Sequence, residues 1–169
     1  MEIIPYSELP DKHWLLPLFF NAGHTPLDYR RFEQRRESDF RFREGPGGFC
    51  AVEDGQLLGF AGLMQMPTQT LERPRTVGGV WAVATHASHT RRGVGTALME
   101  TAHRYFRERG FPFAFLTTSR SWTAHDWYRK LGYIEVDVVN SLPMAYRLVE
   151  SSDEPSASSE GLHPPAEDG

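Results

Sequence analysis

The sequence predicts a mixed α/β fold, with a mostly antiparallel central sheet of about seven strands flanked by helices. Three observations predict it. Two apolar stretches flank Asp54-Gly55, and Asp-Gly suits the positive φ angles of a two-residue hairpin turn. Further on, apolar runs of strand length alternate with segments of helical spacing, the pattern of strand–helix–strand crossovers. The chain has 169 residues, 40% of them hydrophobic, with 11 Phe, 6 Tyr and 4 Trp. That is enough for one domain with an aromatic-rich core.

Taken in order, residues 2–6 read as a first strand. Residues 7–22 read as a helix, with Leu9, Leu15, Leu18 and Phe19 apolar and Pro17 as a kink. Thr25-Pro26 reads as an N-cap followed by proline at the first helical position, opening an Arg-rich helix to Glu37. The hairpin comprises residues 48–53 and 56–66, and a loop follows over 67–75. Residues 77–85 form a buried strand. In residues 93–109, Val94, Ala97, Leu98, Ala102, Tyr105 and Phe106 recur at helical spacing, and Gly110 stops the helix. Residues 113–118 are a strand, and 123–131 a short helix ended by Gly132. Residues 133–139 and 142–149 are the last two strands.

Residues 1–150 are expected to form the domain, and 151–169 a disordered acidic tail. That tail is rich in Ser, Pro, Glu and Gly, and its one large apolar residue is Leu162. It cannot offset its ordering entropy by burial. The net charge is −4, but five acidic residues and no Lys or Arg lie in the tail, so the body carries +1. A near-neutral body gives no reason to expect nucleic-acid binding. No apolar run is long enough to span a membrane. The start lacks the pattern of a signal peptide, and Cys50 is the single cysteine. A cytoplasmic location is expected, and a cysteine-rich zinc site or internal disulfide is excluded.

The segment that carries chemistry is Thr85 to Met99. A buried strand runs into a loop that ends in Gly93-Val94-Gly95 at a helix start. The first turn of a helix offers free backbone N–H groups and the positive end of the dipole. Glycines let an anion approach that backbone, and Arg91 and Arg92 add charge beside it. Together these suit a pyrophosphate, although Gly-x-Gly before a helix is also a packing device. Leu98 stands where a dinucleotide loop would have its third glycine, and no Gly-Lys-Ser/Thr follows.

Here the chain resembles the GNAT superfamily of N-acetyltransferases. That family shows Arg/Gln-x-x-Gly-x-Gly/Ala after its fourth strand. This chain has Thr90-Arg91-Arg92-Gly93-Val94-Gly95, with Thr90 in place of Arg or Gln. A second family pattern, Asn-x-x-Ala-x-x-Phe-Tyr-x-x-x-Gly-Phe, is matched by Ala124, Tyr128 and Gly132. Trp127 and Tyr133 replace the two phenylalanines, and Ser121 replaces Asn. The resemblance spans residues 2–149 and is firmest over 77–133.

The resemblance implies an acetyl-CoA-dependent N-acetyltransferase in which a bound amine attacks the thioester directly, with no metal. The backbone amides from Arg91 through Thr96 would hold the pyrophosphate. The strand near Val83 and Thr85 would pair with the pantetheine arm like an added strand, with Ser121 beside it. Tyr128 would protonate the departing thiolate. Candidates for the base are Glu72, His86, His89, Glu33 and Glu37, with a water chain or an amine that deprotonates before binding as alternatives. The acceptor is a small-molecule or peptide amine, expected to be set by residues 25–42 and 67–75. A homodimer is compatible with the family.

Cys50 sits in an apolar run and reads as a buried thiol rather than an acyl carrier. Ser119, Ser121 and His125 lack the Gly-x-Ser-x-Gly elbow of a hydrolase. Arg30, Arg31, Arg35 and Arg36 read as a solvated, salt-bridged helix face. The four tryptophans read as core or wall residues. The competing reading is a non-catalytic acyl-CoA sensor or interaction domain on the same fold.

Overall fold

A computed structural model of the chain describes residues 1–22, 29–69, 73–136 and 142–147. The strands are β1 (Glu2–Pro5), β2 (Gly48–Glu53), β3 (Gln56–Gln69), β4 (Pro74–Thr85), β5 (Phe113–Thr118), β6 (Ile134–Glu135) and β7 (Leu142–Arg147). They form one seven-stranded sheet in the order β1-β2-β3-β4-β5-β7-β6. Every neighbouring pair is antiparallel except β4–β5. The helices are α1 (Leu15–Asn21), α2 (Tyr29–Ser38), α3 (Val94–Glu108) and α4 (Thr123–Lys130).

The sheet divides the core in two. Leu63, Val80, Ala114 and Leu116 meet Leu98, Met99 and Phe106 of α3 on one face. Phe60 and Ala84 meet Leu15, Leu18 and Phe19 of α1 and Phe32 of α2 on the other. Strand alternation makes this division, since neighbouring side chains point to opposite faces, and an irregularity between Trp81 and Ala84 shifts the alternation along β4. Helix α3 lies close to the sheet because β3 and β4 are bare beneath it. A Cβ on Gly78 would stand 2.6 Å from the Phe106 ring, and one on Gly59 2.8 Å from Val94.

The hairpin turns at Asp54-Gly55, both at positive φ, as that dipeptide demands. Helix α3 starts at Gly93, held at φ 82°, and Gly110 follows its end at φ 68°.

Residues 7–22 are not one helix. Two 3-10 turns, Tyr6–Glu8 and Lys12–Trp14, precede α1. Pro10 explains the break, because the residue before proline avoids the helical region, and Leu9 is extended at φ −62°, ψ 120°. Pro17 makes no kink. It is the third residue of α1, where its missing N–H would have had no helical partner. Thr25-Pro26 lies outside the described residues, and α2 runs from Tyr29 to Ser38.

The loop expected over 67–75 is shorter. β3 and β4 pair out to Gln69 and Pro74, leaving only residues 70–73 between them. Pro67 is tolerated because β2 ends opposite Gly62, so β3 has a free edge there. At the end, β6 is short. Tyr133 is buried against His103 and Tyr128 rather than joining a strand. The tail, residues 151–169, lies outside the described residues.

Candidate active site

The site begins with an irregularity in β4. Phe60 pairs with Ala84 but Gly62 with Trp81, so Ala82 and Val83 together oppose Ala61. This is a β-bulge, and it sets Ala82 at φ 48°. A non-glycine residue there is strained by on the order of 1–2 kcal/mol. Beside the bulge, the parallel β4–β5 ladder registers only at Gly78–Ala114 and Gly79–Phe115. Beyond Gly79 the two strands diverge.

The divergence opens a cleft of about 560 Å³ in the middle of the sheet. Val80, Trp81, Ala82 and Val83 form one side. Leu116, Thr117, Thr118 and the segment from Ser121 to Ala124 form the other, with Tyr128 behind. Tyr128 is 8% exposed. Burial pushes its pKa up to about 12, so the phenol stays protonated at neutral pH. Ser121 also lines the cleft, its Oγ 2.8 Å from that of Ser119.

The turn into α3 closes the far end of β4. The first intrahelical bond runs from the Ala97 N–H to the Gly93 carbonyl, which leaves the amides of Val94, Gly95 and Thr96 as helix-start donors. Arg91, at φ 59°, and Arg92 are exposed beside them. A Cβ on Gly93 would meet nothing within 4 Å, so the space over the turn is open. The second glycine behaves differently. A Cβ on Gly95 would stand 3.2 Å from Trp127 and 3.6 Å from Thr85 Oγ1. Gly95 therefore lets α4 and β4 pack on α3, and the anion-approach reading passes to Gly93. Val94 is 3% exposed and enters the core, so it can offer a ligand only its amide. Thr90 donates its hydroxyl to the Ala87 carbonyl at 3.0 Å, which spends that side chain on the preceding turn.

None of the described candidates for the base lines the cleft. Glu33 accepts the Tyr6 hydroxyl at 2.6 Å and pairs with Arg36 at 3.5 Å. Glu37 is exposed on α2. His86 borders a different hollow, with Trp14, Pro17 and Leu57, and Ser88 Oγ lies 2.8 Å from both His86 and His89. Glu72 lies outside the described residues. Cys50 is fully buried and its thiol is pushed up to about 12 by desolvation, so it is inert. His125 has Glu135 at 2.7 Å on Nε2 and Asp126 at 3.4 Å on Nδ1. It serves no serine.

Sequence reasoning left Trp81, Trp122 and Thr118 without a specific place. Trp81 and Trp122 come from opposite sides of the cleft, and Thr118 lies buried in its wall. Nothing in the residue order around Ala82 announces the bulge that brings them there.

The sequence profile described as the Acetyltransferase (GNAT) family matches residues 11–133. The chain belongs to this family. No protein of curated function matches by sequence. Among solved structures, the chain is similar to the ribosomal-protein-S18-alanine N-acetyltransferase from Escherichia coli. The TM-score is 0.64 at 17% identity, covering 92% of this chain and 99% of that one. An aminoglycoside 6'-N-acetyltransferase complexed with coenzyme A gives 0.68 at 18% identity, covering 90% and 100%. The PaiA N-acetyltransferase from Thermoplasma acidophilum, also in complex with coenzyme A, gives 0.60 at 15%, covering 87% and 99%. At these identities the likeness establishes the GNAT fold.

Proposed function

We propose that this GNAT-family protein transfers the acetyl group of acetyl-CoA to a primary amine of a small molecule or peptide, by direct attack in a ternary complex. The observation that carries the proposal is the gap between β4 and β5, with the buried Tyr128 lining it.

The residues fit the donor. The open space over Gly93, the three helix-start amides of Val94, Gly95 and Thr96, and the exposed Arg91 and Arg92 suit a pyrophosphate. Thr85 lies against this turn, so the β4 edge from Val83 to Thr85 leads from it toward the bulge. That edge would receive the pantetheine arm by backbone pairing, with Ser121 on the opposite side. Acetyl-CoA, when bound, supplies an acetyl group activated as a thioester.

Tyr128 would give its proton to the departing sulfur. Burial keeps the phenol protonated, its pKa pushed up to about 12, and desolvation in the cleft raises the affinity of the departing thiolate for a proton. The acceptor amine loses its proton to solvent or to a water chain, since no acidic side chain among the described residues lines the cleft.

Calorimetry with acetyl-CoA, followed by CoA release across an amine library, tests the proposal. Binding together with release on at least one amine is the expected result. Stabilisation by acetyl-CoA with no release on any amine would favour an acyl-CoA sensor instead.

A further inference from the structure

The chemistry of the cleft walls selects the acceptor. Among the described residues lining it there is no Asp, Glu, Lys or Arg. Its two sides carry tryptophans instead: Trp81 from β4, Trp122 from the cap of α4. Trp81 is a fixed wall. Its ring contacts Phe32, Phe42 and Phe60 with centroids 5.3, 5.5 and 6.0 Å apart. It also lies over Gly62, where a Cβ would overlap it. The bulge places Trp81 and Ala82 together on the α1–α2 face, while Val83 and Tyr128 belong to the α3–α4 face. The cleft thus has an aromatic mouth on the side opposite the α3 turn. Trp122 also lines the cleft, and it keeps 60% of its surface exposed.

An exposed indole at a cleft is surface that an apolar ligand can cover with gain. A polycation has no such gain there. Its additional ammonium groups would lose hydration with no carboxylate among the described lining residues to pair them. A nitrogen held among rings, away from acidic groups, is also pushed toward its neutral form by desolvation. That neutral form is the nucleophile.

We infer that the acceptor is an amine carrying an aromatic or bulky apolar group close to its nitrogen, seated between Trp81 and Trp122. This rests on the N-acetyltransferase reading above. It separates the chain from enzymes built for polyamines or polycationic sugars, and it makes Trp122 and Trp81 specificity-determining residues.

Two matched pairs of amines test it: phenylalaninamide against lysinamide, and 2-phenylethylamine against putrescine, each at saturating acetyl-CoA. The aromatic member of each pair should have at least a tenfold higher kcat/KM. Trp122→Ala should remove most of that advantage through KM, with the acetyl-CoA dissociation constant unchanged. Trp81→Phe, which keeps the ring packing of α2 and β3, should reduce it severalfold. Equal or reversed preference would overturn the inference. So would a preference that survives Trp122→Ala, or no turnover of any of the four amines by protein that binds acetyl-CoA. Failure to bind acetyl-CoA would instead remove the proposed function, and the inference with it.

Discussion

Trp127 of α4 packs against the bare Cα of Gly95 in the first turn of α3. A Cβ on Gly95 would stand 3.2 Å from ring atom Cζ2 and 3.4 Å from Cη2. Through this contact the helix that carries Tyr128 is docked on the turn proposed to hold pyrophosphate. Gly95→Val should therefore destabilise the fold as well as weaken CoA binding. In a Trp127→Ala background the same change should cost less. The double-mutant cycle, read by chemical denaturation, should give a coupling of about 1–2 kcal/mol. Additive effects would show that the two residues do not press on each other.

His103 predicts how stability depends on pH. It is 4% exposed, with Nε2 2.8 Å from the Tyr133 hydroxyl. Burial, with a smaller contribution from Arg107, lowers its pKa from 6.5 to about 4. Between those values the unfolded chain binds a proton that the folded chain does not, so stability rises with pH. His103's contribution is complete above pH 6.5 and is lost as pH falls through about 4, on the order of 3 kcal/mol in all. Melting temperatures measured from pH 7 to 4.5 should fall steadily, and His103→Phe should flatten that slope. An unchanged slope in the variant would assign the titration elsewhere.

Thr118 is 3% exposed, and among the described residues its Oγ1 has no hydrogen-bond partner. A buried hydroxyl without a partner costs about 1–3 kcal/mol. Thr118→Val keeps the shape and removes the cost. The variant should unfold at higher denaturant concentration, by about 1 kcal/mol without ligand. A loss of stability would mean that the hydroxyl is satisfied in solution.

Tyr128 must be protonated to act as an acid, and its pKa of about 12 keeps it so across the working range. The acceptor amine must be neutral, and an alkyl amine near pKa ~10 is mostly charged at pH 7. The profile of kcat/KM should therefore rise with pH and show no fall before pH 10. A descending limb near pH 8 would point to an acid other than Tyr128.

Local chemistry explains what was legible in the sequence. Asp54-Gly55, Gly93 and Gly110 each sit where backbone geometry demands that residue, so the hairpin and the limits of α3 follow from neighbours in the chain. The family motifs likewise placed Tyr128 and the α3 turn. Pro10 is the local signal that divides residues 7–22, where apolar spacing alone reads as one helix. The bulge has no local signal, because Ala82 adopts positive φ under the demands of pairing with β3. The same holds for the divergence beyond Gly79 and the seat of Trp127 on Gly95. These are contacts between distant segments, and the shape of the cleft depends on them.

Tyr128 is proposed as the proton donor in acetyl transfer, and Tyr128→Phe isolates that role. The change keeps the ring, with its contacts to Trp127 and Tyr133, and removes only the hydroxyl. Single-turnover rates at saturating acetyl-CoA and amine should fall by roughly 10²–10³, with the CoA dissociation constant and melting temperature nearly unchanged. A wild-type rate in that measurement would contradict the claim and assign the proton to water.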